Sequence, residues 1–256
     1  MIWRSPAGSI LPSALLFAGT MAIAALPPSA PTIAGTTDCD VPAELMQVDH
    51  ELLLFGQRLR AGEPIKIVAI GGASTTGAAA GSADLAYPHR LQETLAQWYP
   101  AIPIDVVNKG VPRQTAQQML ERFPSDVFAE DPVLVIWETG TTDAVRGVEI
   151  DDFATALQNG VNELKARSID GVFVDMQFSR STMTVIDFER YLNTLHRVGD
   201  VNEVNVFPRF EMMRYWSEQN VFNFDGVTKD QRAGLAASVY QCIGQHLAET
   251  IRIAVQ

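Results

Sequence analysis

The sequence predicts an α/β protein built around a five-stranded parallel sheet, and three observations carry that prediction. Five short apolar runs rich in β-branched residues recur at 65–71, 104–108, 133–137, 171–175 and 204–207. Runs of this length without polar alternation suit strands buried on both faces. Segments of helical spacing lie between them, near 88–98, 115–123, 151–167 and 184–198, and a further one at 229–253 closes the chain. Strand and helix in strict alternation imply right-handed βαβ units about a parallel sheet. Finally, 256 residues of which 47% are hydrophobic are enough to bury one large core.

The elements follow in order. Arg4 precedes the apolar run 10–26, and the small-residue exit 27–34 follows it. A positive start, an apolar centre and a small-residue end make a secretory signal peptide, with cleavage expected after Ala24 or Ala34. The run is shorter than the roughly 20 residues a bilayer core requires, so no stable membrane span is expected once the leader is cut. Residues 35–256 are read as one domain, secreted or periplasmic, because no linker, repeat or low-complexity tract interrupts them. Leu45, Val48, Leu52 and Leu59 stand at near-helical spacing and predict an amphipathic helix over 42–60.

Composition narrows the function. Thirty acids against 19 bases give a formal net charge of −11, which repels nucleic acid. Neither of the two cysteines belongs to a metal-binding cluster, so no metal and no cofactor are expected. Cys39, just after the leader, and Cys242, in the last helix, form a candidate disulfide in an oxidising compartment; the alternative is two unrelated small hydrophobes. The stretch Gly71 to Gly77 lacks the lysine of a phosphate-binding loop and the spacing of a dinucleotide loop.

In an open parallel sheet the binding crevice lies at the carboxyl ends of the strands. There the sequence reads Gly71-Gly-Ala-Ser-Thr-Thr-Gly77 after the first run, Asn108-Lys-Gly110 after the second and Gly140-Thr-Thr-Asp143 after the third. Asp225-Gly-Val-Thr228 precedes the last helix. In order and spacing these segments resemble the SGNH, or GDSL-type, hydrolases, whose signature runs G-D-S-x-[ST], a glycine, G-x-N-D and D-x-x-H. The resemblance covers about residues 65–250. It implies a three-layer flavodoxin-like sandwich and ester hydrolysis on acylated substrates.

The departures fall on the reactive positions. Thr142 stands where the family has its oxyanion-donating Asn, and Thr228 where it has the catalytic His. With Gly71 as the leading glycine, Ala73 occupies the nucleophile position and Gly77 matches a family glycine. With Gly72 as the leading glycine, Ser74 is the nucleophile and that match is lost. A serine esterase needs a base within reach of its hydroxyl, and threonine cannot supply one near neutral pH.

Of the four histidines, His89 is the one nearest the crevice in sequence. Gly72, Ala73, Gly110, Thr142, Asp143, Asp225 and Thr228 are the expected binding residues, with backbone N–H groups at 73 or 74 and at Gly110 as oxyanion donors. Asp143 and Asp225 are expected in turns or caps. Trp137, Phe178 and Trp216 are divided between crevice and core, with core packing favoured. Two functions follow from this reading. One is a degenerate hydrolase that binds an acylated glycan or a cell-envelope protein. The other is a working O-acyl esterase that uses Ser74 with an unrecognised base.

Overall fold

A computed structural model of the chain describes residues 1–2, 39–184, 186–224 and 227–256. All of the expected leader 1–34 beyond its first two residues, and Asp225, lie outside the described residues. The chain divides into two units, 1–36 and 37–256, and the sheet belongs wholly to the second.

The apolar runs become β1 (Ile65–Gly71), β2 (Ile104–Gly110), β3 (Leu134–Glu138), β4 (Asp170–Val174) and β5 (Asn205–Phe207). All are parallel, in the order β2-β1-β3-β4-β5. This is the flavodoxin-like order, in which the chain turns back between β1 and β3 and leaves a crevice at their carboxyl ends. The two strands at that point are the most deeply buried. Ile67, Val68, Ala69 and Ile70 of β1, and Leu134, Val135 and Ile136 of β3, are fully enclosed.

The helices are α1 (Leu53–Ala61), α2 (Ala73–Thr76), α3 (Tyr87–Trp98), α4 (Ala116–Leu120), α5 (Thr141–Arg146), α6 (Ile150–Ala166), α7 (Arg180–Met183), α8 (Phe188–Val201), α9 (Arg209–Glu218) and α10 (Lys229–Ala254). Helix α3 packs on β2 and α10 on α3, whereas α6 packs on β4 and against α4 and α8. Right-handed crossovers that run in opposite directions from the β1/β3 boundary put these two groups on opposite faces.

The expected helix over 42–60 is corrected to a 3₁₀ turn, Ala43–Met46, followed by extended chain and then α1. Its periodicity has a physical source, because Leu45, Val48 and Leu59 do pack against the core. The backbone N–H groups of Asp49 and His50, however, donate to Asn205 Oδ1 at the head of β5 and not to a preceding turn of helix. Helix α9 has no counterpart in the sequence reading. Its buried side includes Arg209 and Ser217 beside Phe210, Met212, Met213 and Trp216, which blurs the apolar pattern.

Cys39 and Cys242 are joined, with Cα atoms 5.4 Å apart, inside the range a disulfide accepts. The Cys39 carbonyl accepts hydrogen bonds from Trp216 Nε1 at 3.2 Å and His246 Nε2 at 2.6 Å, and the two rings stack at 6.0 Å between centroids. The bond closes a loop of 203 residues, for which the chain-entropy model gives a stabilisation of up to about 5 kcal/mol. Reduction should therefore lower the melting temperature clearly, and Cys39→Ser should reproduce that loss with no further change on adding reductant. Scanning calorimetry with and without reductant checks both expectations.

Candidate functional site

The turn back between β1 and β3 opens a crevice of about 160 Å³, walled by Gly72, Ala73 and Ser74 after β1, by Glu138 at the end of β3 and by Thr139, Gly140 and Thr142 beyond it. Arg113, Gln114 and Gln177 complete its polar lining. Gly140 has φ +92°, a region side chains rarely adopt. It turns the chain from β3 into α5 and so brings Thr141 and Thr142 to the rim. Two buried polar atoms there, Gln114 Oε1 and Thr139 Oγ1, have no hydrogen-bond partner among the described residues. Buried polar atoms left without partners are uncommon in folded proteins and mark a place for a ligand or water.

Beneath the crevice lies a buried polar network. Glu138, 5% exposed, accepts at Oε2 from the Thr75 backbone N–H at 3.0 Å and from the Thr75 hydroxyl, which also meets Tyr87 Oη at 3.0 Å. Its Oε1 faces Arg209 Nη1 at 3.1 Å. Burial, reinforced by the Glu138 charge, pushes the hydroxyls of Tyr87 and Tyr240 upward, so both stay protonated.

The residues expected in the site separate into two groups. Gly72, Ala73, Ser74 and Thr142 come together around the crevice. Ala73 is exposed at the first position of α2, while Ser74 is buried. The Ser74 hydroxyl donates to Gln177 Oε1 at 3.2 Å and also interacts with Tyr240.

Gly110, Asp143 and Thr228 lie elsewhere. The Gly110 N–H is not available as an oxyanion donor, which corrects that expectation: it donates to Asn108 Oδ1 at 2.9 Å. Gly110 serves packing, since a β-carbon there would sit 2.6 Å from the Thr76 backbone nitrogen. The residues of this loop that do reach the crevice are Arg113, held at φ +65°, and Gln114. No sequence signal marks Arg113, because an arginine in the left-handed region is unusual.

Asp143 is turned inward, with both carboxylate oxygens 3.1 Å from the Ala116 N–H at the start of α4. Thr228 is exposed and caps α10, its N–H and hydroxyl both directed at Gln231 Oε1. Trp137, Phe178 and Trp216 are core residues.

No histidine lines the crevice. His89 pairs with Glu93 on the surface of α3, His196 Nε2 lies 3.2 Å from Asp175 Oδ2, and His246 holds the Cys39 carbonyl. The backbone N–H of His50 is bound by Asn205.

A parallel sheet in this strand order, with glycine-bearing turns at β1 and β3 walling a polar crevice, defines an SGNH/GDSL-type hydrolase fold. Residues 38–256 match the Non-GDSL lipase-like family, and the chain belongs to that family.

Solved structures agree on the fold. A G-D-S-L family protein from Desulfitobacterium hafniense superposes with TM-score 0.57 at 22% identity, over 72% of this chain and 98% of that one. A two-domain esterase active on acetylated mannans gives TM-score 0.64 at 17% identity, over 80% of this chain and 55% of that one. An acetyl-xylooligosaccharide esterase from Geobacillus gives 0.60 at 18%, over 74% and 95%. No curated protein matches the sequence.

The burial of Asp143 makes a pH-dependent prediction. Burial pushes its carboxyl up to about 6 from the ordinary 3.8, against the Ala116 N–H, which favours the ionised form. Folding thus favours the protonated acid: the stabilisation is complete below about pH 4 and is lost as pH rises through 6. Asp143→Asn, which keeps an acceptor and never ionises, should be more stable than the parent at pH 7.5 by up to about 3 kcal/mol, with the gap closing towards pH 4. Urea denaturation at several pH values checks this; a parent that is the more stable at pH 7.5 would show that the backbone donor outweighs burial.

Proposed function

We propose that the chain is an exported, catalytically degenerate SGNH-fold protein whose crevice binds an acylated glycan without cleaving it. The observation that carries this reading is the pair of residues at the head of α2. The side chain exposed there is the methyl group of Ala73, which favours the register with Gly71 as leading glycine. Ser74, the alternative nucleophile, is buried against Gln177 and Tyr240, with no histidine on the walls it shares. A serine that lacks a base gains nothing from remaining donors: removing the Ser or His of a triad costs about 10⁶-fold in subtilisin, a published case.

Binding is favoured by what remains. The Thr139 hydroxyl, the Gln114 carbonyl and the Thr142 side chain offer donors and acceptors suited to sugar hydroxyls and an acetyl carbonyl, in a site too small for more than one substituted sugar unit. The neighbours named for acetylated mannans and xylooligosaccharides favour this ligand class. Export is favoured by the leader-like sequence at 1–34 and by the disulfide, which persists in oxidising compartments. No helix among the described residues is long and apolar enough to cross a membrane.

Two measurements test the proposal. Turnover of p-nitrophenyl acetate should equal background for both the parent and Ser74→Ala; turnover that depends on Ser74 would restore the esterase reading. In calorimetric titration the parent should bind acetylated mannan or xylan better than the deacetylated polymer. Ala73→Trp, which fills the crevice from an exposed position, should weaken that binding at least tenfold. Equal binding of both polymers, or binding untouched by Ala73→Trp, points to a cell-envelope protein as the partner.

A further inference from the structure

A second cavity, of about 300 Å³, shares only Ser74 and Gln177 with the crevice. Arg209 lies in its wall with 1% of its surface exposed. Its Nη1 is near Glu138 Oε1, but off the line of a hydrogen bond, and neither Nε nor Nη2 has an acceptor among the described residues. A guanidinium holds five N–H donors that cannot be deprotonated, and leaving them unmade in a dry site is costly. The rest of the wall is mainly apolar, with Met213 of α9 and Leu235, Val239 and Ile243 of α10.

From this juxtaposition we infer that the cavity is a binding site for a small amphiphilic carboxylate, whose head meets the Arg209 guanidinium and whose chain lies along α10. Charge favours an anion over a neutral acceptor. Among the described residues of the wall and their partners, Glu138 and Arg209 cancel, and Arg232 adds one positive charge that a carboxylate neutralises. The planar fork of donors matches the two oxygens of that group. At roughly 30 Å³ for each non-hydrogen group, the share a water takes in the liquid, the cavity holds about ten, the size of octanoate. The inference does not depend on what occupies the crevice, since the Arg209 side chain and the apolar wall belong to this cavity alone.

Isothermal titration of the disulfide-bonded protein with sodium octanoate, octan-1-ol and sodium acetate tests it. Octanoate should bind once per chain and at least tenfold more tightly than either the neutral alcohol or the chainless acid. Arg209→Met would remove the partner of a buried carboxylate and endanger the fold, so Ala236→Phe, which fills the cavity from a half-buried position on α10, is the informative variant. It should abolish octanoate binding while circular dichroism remains that of the parent. Failure of octanoate to bind, equal affinity for octan-1-ol, or undiminished binding in folded Ala236→Phe would each overturn the inference. Should that variant not fold, the octanoate-to-octanol ratio of the parent decides alone.

Discussion

The buried pairing of Glu138 with Arg209 organises the carboxyl end of the sheet. Glu138 closes β3 and holds the Thr75 N–H, which fixes the start of α2 and with it the orientation of Ala73 and Ser74. Arg209 opens α9 straight after β5, so the same contact anchors that helix across the sheet. Removing one member of such a pair strands the other charge in the interior, at a cost of about 3–5 kcal/mol. The two charges also divide the polar interior, since the carboxylate lines the crevice and the guanidinium lines the cavity beside α10.

The frame and the reactive positions have separate physical origins, which is why one can persist without the other. Strand order, the turn at Gly140 and the approach of α2 to Gly110 are set by burial and backbone sterics. None of these needs a nucleophile or a base. Ala73 and Thr228 are both exposed, and Thr228 retains a structural task as the cap of α10. On the proposed reading, their replacement leaves the core untouched and leaves the crevice with neutral donors and acceptors.

The strands were legible because burial on both faces writes an uninterrupted apolar run. Where the sequence misled, a tertiary contact had taken over a local signal. The apolar spacing of 45–59 is real, but the Asn205 side chain claims the backbone donors that a continuous helix would need. Gly110 was legible as a special position but not as a packing one, because its N–H is answered by Asn108, two residues away. Arg209 was overlooked although it stands directly after an apolar run, where binding residues are sought. Its signal, a charged residue at the end of β5, is indistinguishable in sequence from an exposed arginine.

The Cys39–Cys242 bond also alters the covalent topology of the molecule. All five strands lie within the ring it closes, whereas the part of α10 that follows Cys242 lies outside it. A single backbone cut anywhere within the ring therefore leaves one connected molecule, able to keep its parts together and re-pair its strands. The bond also cannot form until Cys242 has been delivered, so synthesis of all five strands precedes closure. Earlier stages of folding must bring the sheet together without it, and what the ring supplies afterwards is retention of a structure already assembled.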